Sequence, residues 1–133
     1  PDAEGVVRSE YVDRIKILGN WYNRMEGCFE GAEEDSFGYK AKHDDFVVAK
    51  KGGKSYFHFY NGLMSDAVIF EKYPALPKSV RLMNTGKKLE FAERALPEFF
   101  NFYNGRAETV FLHIRGIPVD ELGYEPITLE IEW

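Results

Sequence analysis

The chain has 133 residues, of which 44% are hydrophobic and 16% aromatic, and its formal net charge is -5. This length and apolar content indicate one folded domain with its own core and exclude intrinsic disorder. Because the 17 basic residues are interleaved with 22 acidic ones, a nucleic-acid-binding surface is not expected.

The first predicted element is an amphipathic helix over residues 9–27. Ser9 is expected to cap its start and Gly27 to follow its end. The apolar positions recur at the spacing of one buried helix face: Val12, Ile15, Leu18, Tyr22 and Met25. Ile17 and Trp21 lie beside this stripe and widen it. A face this wide predicts two neighbouring structures rather than one.

The chain then changes to strands and turns, so we assign residues 1–35 to the helix and a linker and residues 36–133 to a β domain. The strand-like segments are, in chain order, 45–51, 54–61, 66–71, 79–84, 88–93, 99–103, 109–114 and 127–133. Glycines at 52–53 and the turn 85–87 predict two hairpins. The pattern predicts a mainly β fold, a Greek-key-like antiparallel sandwich of two sheets with one N-terminal helix, rather than a βαβ fold.

No catalytic residue is predicted. In the last strand, alternation places Ile127, Leu129 and Ile131 on one face, and Glu130 and Glu132 on the other, solvent-facing side. The acidic runs at 33–35 and 44–45 lie in apparent loops, and no nucleophile, phosphate-loop or dinucleotide motif is present. The single Cys28 is expected to be a packed thiol.

No metal site or cofactor is predicted either. His43, His58 and His113 are far apart in the sequence, and the last two lie within strands between apolar residues. We therefore expect hydrogen-bonded structural histidines there. The acidic run does not match a calcium-binding loop.

An aromatic strand provides the one candidate binding face. In residues 54–61, alternation places Phe57 and Phe59 toward the core and Tyr56, His58 and Tyr60 on the opposite face. A sugar could stack on that second face. We favour the alternative that the helix or a missing neighbour covers it, because exposed aromatic patches are uncommon on free monomers.

Several motifs, in this order, resemble one known family. They are Leu18-Gly19-x-Trp21 in the helix, Lys54-x-Tyr56-x-His58-x-Tyr60 in a strand, the segment PKSVRLMNTGKKLEF at 77–91, and LHIRGIPVDELGYEPITLEIEW at 112–133. Residues 11–133 as a whole resemble the C-terminal region of α-L-fucosidases of glycoside hydrolase family 29, namely the last helix of the catalytic barrel followed by a β-sandwich domain.

The resemblance implies a non-catalytic domain that supports a catalytic barrel of the same parent chain. In that family the helix packs between barrel and sandwich, which would make Ile17 and Trp21 interface residues that are exposed in the isolated domain. The alternatives are an independent carbohydrate-binding module for fucose-containing glycans, using Tyr56, His58 and Tyr60, and a small free-standing ligand-binding barrel.

The resemblance also implies a secreted or periplasmic setting. The first ten residues lack the pattern of a signal peptide, and we expect the chain to be part of a longer protein. No apolar run approaches the roughly 20 residues of a membrane span, so no membrane partner is expected.

Overall fold

A computed structural model describes residues 4–97 and 108–133. Within these ranges a single α-helix, α1 (Ser9–Phe29), precedes nine strands. The strands are β1 (Glu33–Glu34), β2 (Lys40–Ala41), β3 (Val47–Lys51), β4 (Lys54–Phe59), β5 (Ala67–Lys72), β6 (Ser79–Leu82), β7 (Glu90–Pro97), β8 (Glu108–Arg115) and β9 (Ile127–Glu132). A short 3-10 helix, Val119–Glu121, precedes β9. The predicted strand at 99–103 lies outside the described residues.

The strands form two antiparallel sheets, which confirms the predicted fold class. One sheet has five strands in the order β1-β3-β4-β9-β6, and the other has four in the order β2-β5-β8-β7. The chain crosses repeatedly between the sheets. After β3 and β4 in the five-stranded sheet, β5 lies in the four-stranded sheet, β6 in the five-stranded sheet, and β7 and β8 in the four-stranded sheet. The last strand, β9, lies between β4 and β6. These crossings are the Greek-key-like feature of the fold.

The core lies between the two sheets and follows the predicted alternation. Phe57 and Phe59 of β4 and Leu129 of β9 are fully buried there, opposite Phe70 and Leu112 of the four-stranded sheet. Alternating side chains of each strand therefore fill the core while the others face outward.

One predicted hairpin is confirmed, and the other forms only next to its turn, where Arg81 and Lys88 make an antiparallel bridge. Gly52 and Gly53 both adopt positive φ, 57° and 78°, in the turn that joins β3 to β4. The arms around the turn 85–87 share only a short ladder, with Leu82 N donating to Lys87 O at 2.8 Å. They then diverge because β6 pairs with β9, whereas β7 pairs with β8 in the other sheet.

The helix differs from its prediction at both ends. No described side chain forms a capping hydrogen bond at its start, so the predicted Ser9 cap is wrong. Gly27 lies inside the helix, which continues to Phe29, and the left-handed residue after it is Gly31, with a φ of 70°.

The C-terminal half of α1 covers the outer face of the five-stranded sheet. Trp21, Met25 and Cys28 are buried in one cluster with Tyr56 of β4. The solvent-facing side predicted for β9 is therefore wrong for Glu130, which is 6% exposed beneath the helix. Along residues 4–97 and 108–133, no helix combines the length and apolarity that crossing a membrane requires.

Candidate binding surfaces on and beside helix α1

The strand face considered for sugar contact is largely covered by the helix, which is the alternative that the sequence favoured. Tyr56 is 8% exposed and His58 1%, whereas Tyr60 is 50% exposed. Phe29 stacks on the His58 ring with 4.6 Å between centroids, and Trp21 meets it edge-on at 6.1 Å. Sugar contact therefore stays a prediction for Tyr60 alone, because the other two side chains are closed to a ligand.

His58 is held as a neutral side chain. Its Nδ1 lies 3.1 Å from Thr128 Oγ1, while no described atom hydrogen-bonds its Nε2. Burial lowers the pKa of His58 to about 4, because a charged imidazole would lose its hydration without gaining an acceptor for the proton on Nε2. The histidine is a packing residue of the helix–sheet interface.

Glu130 is the buried carboxylate of the same interface, and it is fully engaged. Its Oε1 accepts hydrogen bonds from Lys54 Nζ at 3.1 Å and Arg81 Nη2 at 2.9 Å, and its Oε2 accepts one from Tyr56 Oη at 3.0 Å. Burial acts to raise its pKa, but these donors outweigh burial and the pKa is lowered. Such a carboxylate joins β4, β6 and β9 under the helix and is poorly suited to donate a proton.

Cys28 is buried, as predicted for a packed thiol. Burial raises its pKa, and the negative charge of Glu130 acts in the same direction. A raised pKa leaves little thiolate, so the geometry favours packing over nucleophilic chemistry.

The two predicted interface residues lie in different surroundings. Trp21 is 2% exposed because it packs against the sandwich with Phe29, His58 and Tyr60, so its expected exposure is wrong. Ile17, one turn earlier, remains exposed. The assignment of either residue to an interface with a catalytic barrel stays a prediction.

The N-terminal half of α1 carries an exposed apolar stripe. Its members recur at i, i+4, i+7 and i+11 and are 47–63% exposed: Tyr11, Ile15, Leu18 and Tyr22. At about 100° per residue they fall within one narrow sector of the helix surface. We call these four residues the docking stripe. The helical spacing predicted that Ile15, Leu18 and Tyr22 would be buried with Met25, but of these four residues only Met25 is buried.

A groove opens between this half of the helix and the sandwich. Its volume is about 550 Å³, and its lining is Arg14, Ile17, Leu18, Tyr60, Tyr124 and Pro126. We call it the tyrosine groove. A smaller cavity of about 330 Å³ is also lined by Tyr60 and Tyr124, so both residues border the two cavities. Sequence reasoning missed Tyr124 because it lies in a turn, where alternation carries no information.

The turn that presents Tyr124 is anchored on both sides. Asn84 Nδ2 donates to Glu125 Oε1 at 2.8 Å and to Pro126 O at 2.9 Å, and Arg24 of the helix forms an ion pair with Glu125. Tyr124 itself is 97% exposed. The two walls of the groove, the helix and this turn, are thus tied together through residues that neighbour Tyr124 rather than through Tyr124 itself.

Residues 4–97 and 108–133 contain no group of three or more His, Cys, Asp and Glu side chains that could hold a metal ion. His58 and His113 belong to different sheets. His113 is half-buried, and partial burial lowers its pKa, with the charges of Arg94 and Arg115 acting in the same direction.

The chain is similar in fold to solved structures of α-L-fucosidases. The Thermotoga maritima α-fucosidase in complex with a mechanism-based inhibitor is 17% identical to the chain with a TM-score of 0.65, and the match covers 100% of this chain and 29% of that one. A second structure of the Thermotoga maritima α-fucosidase is 18% identical, with a TM-score of 0.62, and the match covers 98% of this chain and 28% of that one. A further α-L-fucosidase gives 17% identity and a TM-score of 0.64.

This chain shares the fold of one part of these enzymes. The comparison confirms the predicted resemblance to α-L-fucosidases at the level of the fold. The chain spans less than a third of the length of the structures it matches. No protein-family model and no curated protein sequence matches it.

Proposed function

We propose that this chain is an accessory β-sandwich domain of an α-L-fucosidase-like glycoside hydrolase, and that it supports the catalytic barrel of the same parent chain through helix α1. The observation that carries the proposal is the docking stripe. Large apolar side chains at half exposure along one helix face are costly in water and are typical of a surface that another structure covers.

The fold similarity supports the same proposal. The similar enzymes contain a match to the whole of this chain, helix included, and more than two thirds of their length lies beyond the match. A helix that contacts the sandwich with its C-terminal half and leaves an apolar stripe free on its N-terminal half has the form of a connector between two bodies.

Hydrolysis is assigned to the rest of the parent. A glycosidase needs two carboxylates with separated roles, and the buried carboxylate of this chain, Glu130, is bonded to three donors. We expect the purified chain to leave an aryl α-L-fucoside intact. Turnover that a single Asp or Glu substitution abolished would contradict this assignment.

The first test is the size of the native polypeptide, measured by immunoblot of source tissue or cells with an antibody against this domain. We expect a band larger than 15.4 kDa by at least a barrel of about 250 residues. A band at 15.4 kDa would overturn the proposal.

A second test uses matched variants in the full-length parent. Leu18→Glu on the docking stripe and Leu76→Glu in a distant loop change residues of equal size and near-equal exposure, 49% and 51%. We expect Leu18→Glu to separate the thermal unfolding of the sandwich from that of the barrel, and Leu76→Glu to leave it unchanged. Equal effects of the two variants would show that the stripe is not an interface.

A further inference from the structure

The tyrosine groove has the dimensions and lining of a small-ligand site. Its volume of about 550 Å³ lies within the usual range of ligand pockets. The walls combine aliphatic side chains, two tyrosine rings and one guanidinium, that of Arg14. Small-ligand sites are commonly built in this way, with a mostly apolar surface and a few polar groups that fix orientation.

Tyr124 is a large aromatic residue whose side chain is almost fully exposed to solvent. Its 97% exposed side chain contributes little to the core, yet the backbone around it is held by Asn84 and by the Arg24–Glu125 ion pair. Because the anchoring does not use the phenol ring, it holds the turn beside the groove and leaves the ring free. An exposed aromatic side chain on an anchored turn beside a groove is available for a contact with a ligand.

The chemistry of the lining selects the class of ligand. Tyrosine offers an apolar ring face and a hydroxyl at low cost in conformational entropy. A pyranose ring has matching parts, C–H faces for the two rings and hydroxyl groups for Arg14 and the phenols. The lining comes from a helix and turns, so it lacks the free strand edge by which extended peptides are usually bound.

We propose that the tyrosine groove is a saccharide-binding site, in which Tyr60 and Tyr124 contact the C–H faces of a pyranose and Arg14 hydrogen-bonds its hydroxyl groups. Of the strand face considered in the sequence analysis, this site retains Tyr60 alone, since Tyr56 and His58 are buried. It shares Leu18 with the docking stripe and takes Arg14 from the same half of the helix, whereas Tyr60 and Tyr124 belong to the sandwich.

The test is an NMR titration of the isotope-labelled chain. The probes are the methyl glycosides of α-L-fucose, β-D-galactose and β-D-glucose, together with N-acetylglucosamine, each to millimolar concentration. We expect at least one sugar to give saturable shifts in the signals of Tyr60, Tyr124 and Gly123. If none of the probes saturates, the proposal is wrong.

Three variants assign the shifts. Tyr124→Ala is expected to weaken binding at least about fivefold without affecting folding, while Tyr124→Phe keeps most of it because the ring remains. Tyr11→Ala, an exposed tyrosine of the docking stripe outside the groove, should bind as the unchanged chain does. Unchanged affinity in Tyr124→Ala would overturn the proposal. So would a short acidic peptide that saturates the same signals in place of the sugars.

The result of the sugar titration does not depend on whether the chain supports a catalytic barrel. Saccharide binding is read from Tyr124→Ala in this chain, whereas barrel docking is read from Leu18→Glu against Leu76→Glu in the parent. Either proposal can therefore fail while the other stands.

Discussion

The two halves of helix α1 carry similar apolar side chains and have opposite surroundings. Met25, in the C-terminal half, is fully buried over the five-stranded sheet, whereas Ile15, in the N-terminal half, is 63% exposed. The difference arises because the sheet provides a partner for one half only. An amphipathic pattern therefore indicates which side chains are suited to burial, but a second structure is needed to bury them.

The largest effect is expected from removing the packing of the C-terminal half. Met25→Ala leaves a cavity between the helix and the sheet and should lower the free energy of unfolding by about 3 kcal/mol. Ile15→Ala in the exposed half should change it by less than about 0.5 kcal/mol. Urea denaturation followed by far-ultraviolet circular dichroism measures both. Similar losses for the two variants would mean that both halves are packed in solution.

Acid should weaken the contact between the C-terminal half of the helix and the five-stranded sheet. Burial lowers the pKa of His58 from 6.5 to about 4. Between these two pH values the histidine is mostly protonated in the unfolded chain and mostly neutral in the folded chain. The contribution of His58 to stability is complete above pH 6.5 and is lost as the pH falls toward 4. Between pH 7.5 and pH 5 the loss amounts to about 2 kcal/mol.

The histidine can be separated from other titrating groups by substitution. His58→Gln should flatten the dependence of unfolding free energy on pH in this window, and His43→Gln, at an exposed position, should retain it. Measurement above pH 5 keeps the range clear of Glu130, whose pKa is lowered by its hydrogen bonds and by Arg81 despite burial. A slope that survives in His58→Gln would contradict the assignment.

A smaller effect of opposite sign is expected at the junction between the halves. Gly19 lies in the helix interior, and no described atom outside the neighbouring helix backbone lies within 4 Å of an added Cβ. Gly19→Ala should therefore raise the free energy of unfolding by about 0.5–1 kcal/mol. Gly31→Ala is the matched control, since its site is equally open but its φ of 70° disfavours alanine. Thermal unfolding should show opposite signs for the two variants.

Local sequence patterns were sufficient for the longer elements and for the core, but they missed the two-residue strands β1 and β2, one of which replaces the loop predicted at 33–35. Alternation placed Phe57, Phe59 and Leu129 inward, and the paired glycines 52–53 predicted the β3–β4 turn, because both features depend on neighbours within a few residues. The helix was predicted for the same reason, apart from its caps. The resemblance to α-L-fucosidases rested on the order of motifs along the chain, and the fold comparison confirms it at that level.

The tertiary structure decided which outer faces are covered and where surfaces meet. Glu130 and His58 have the sequence environment of an exposed strand face, yet the helix buries both, because residues more than twenty-five positions away supply the cover. Divergence of β6 and β7 into different sheets likewise depends on partners distant in sequence. Tyr60 and Tyr124 share a groove only because β4 and β9 are neighbours, a pairing that periodicity along one strand does not encode.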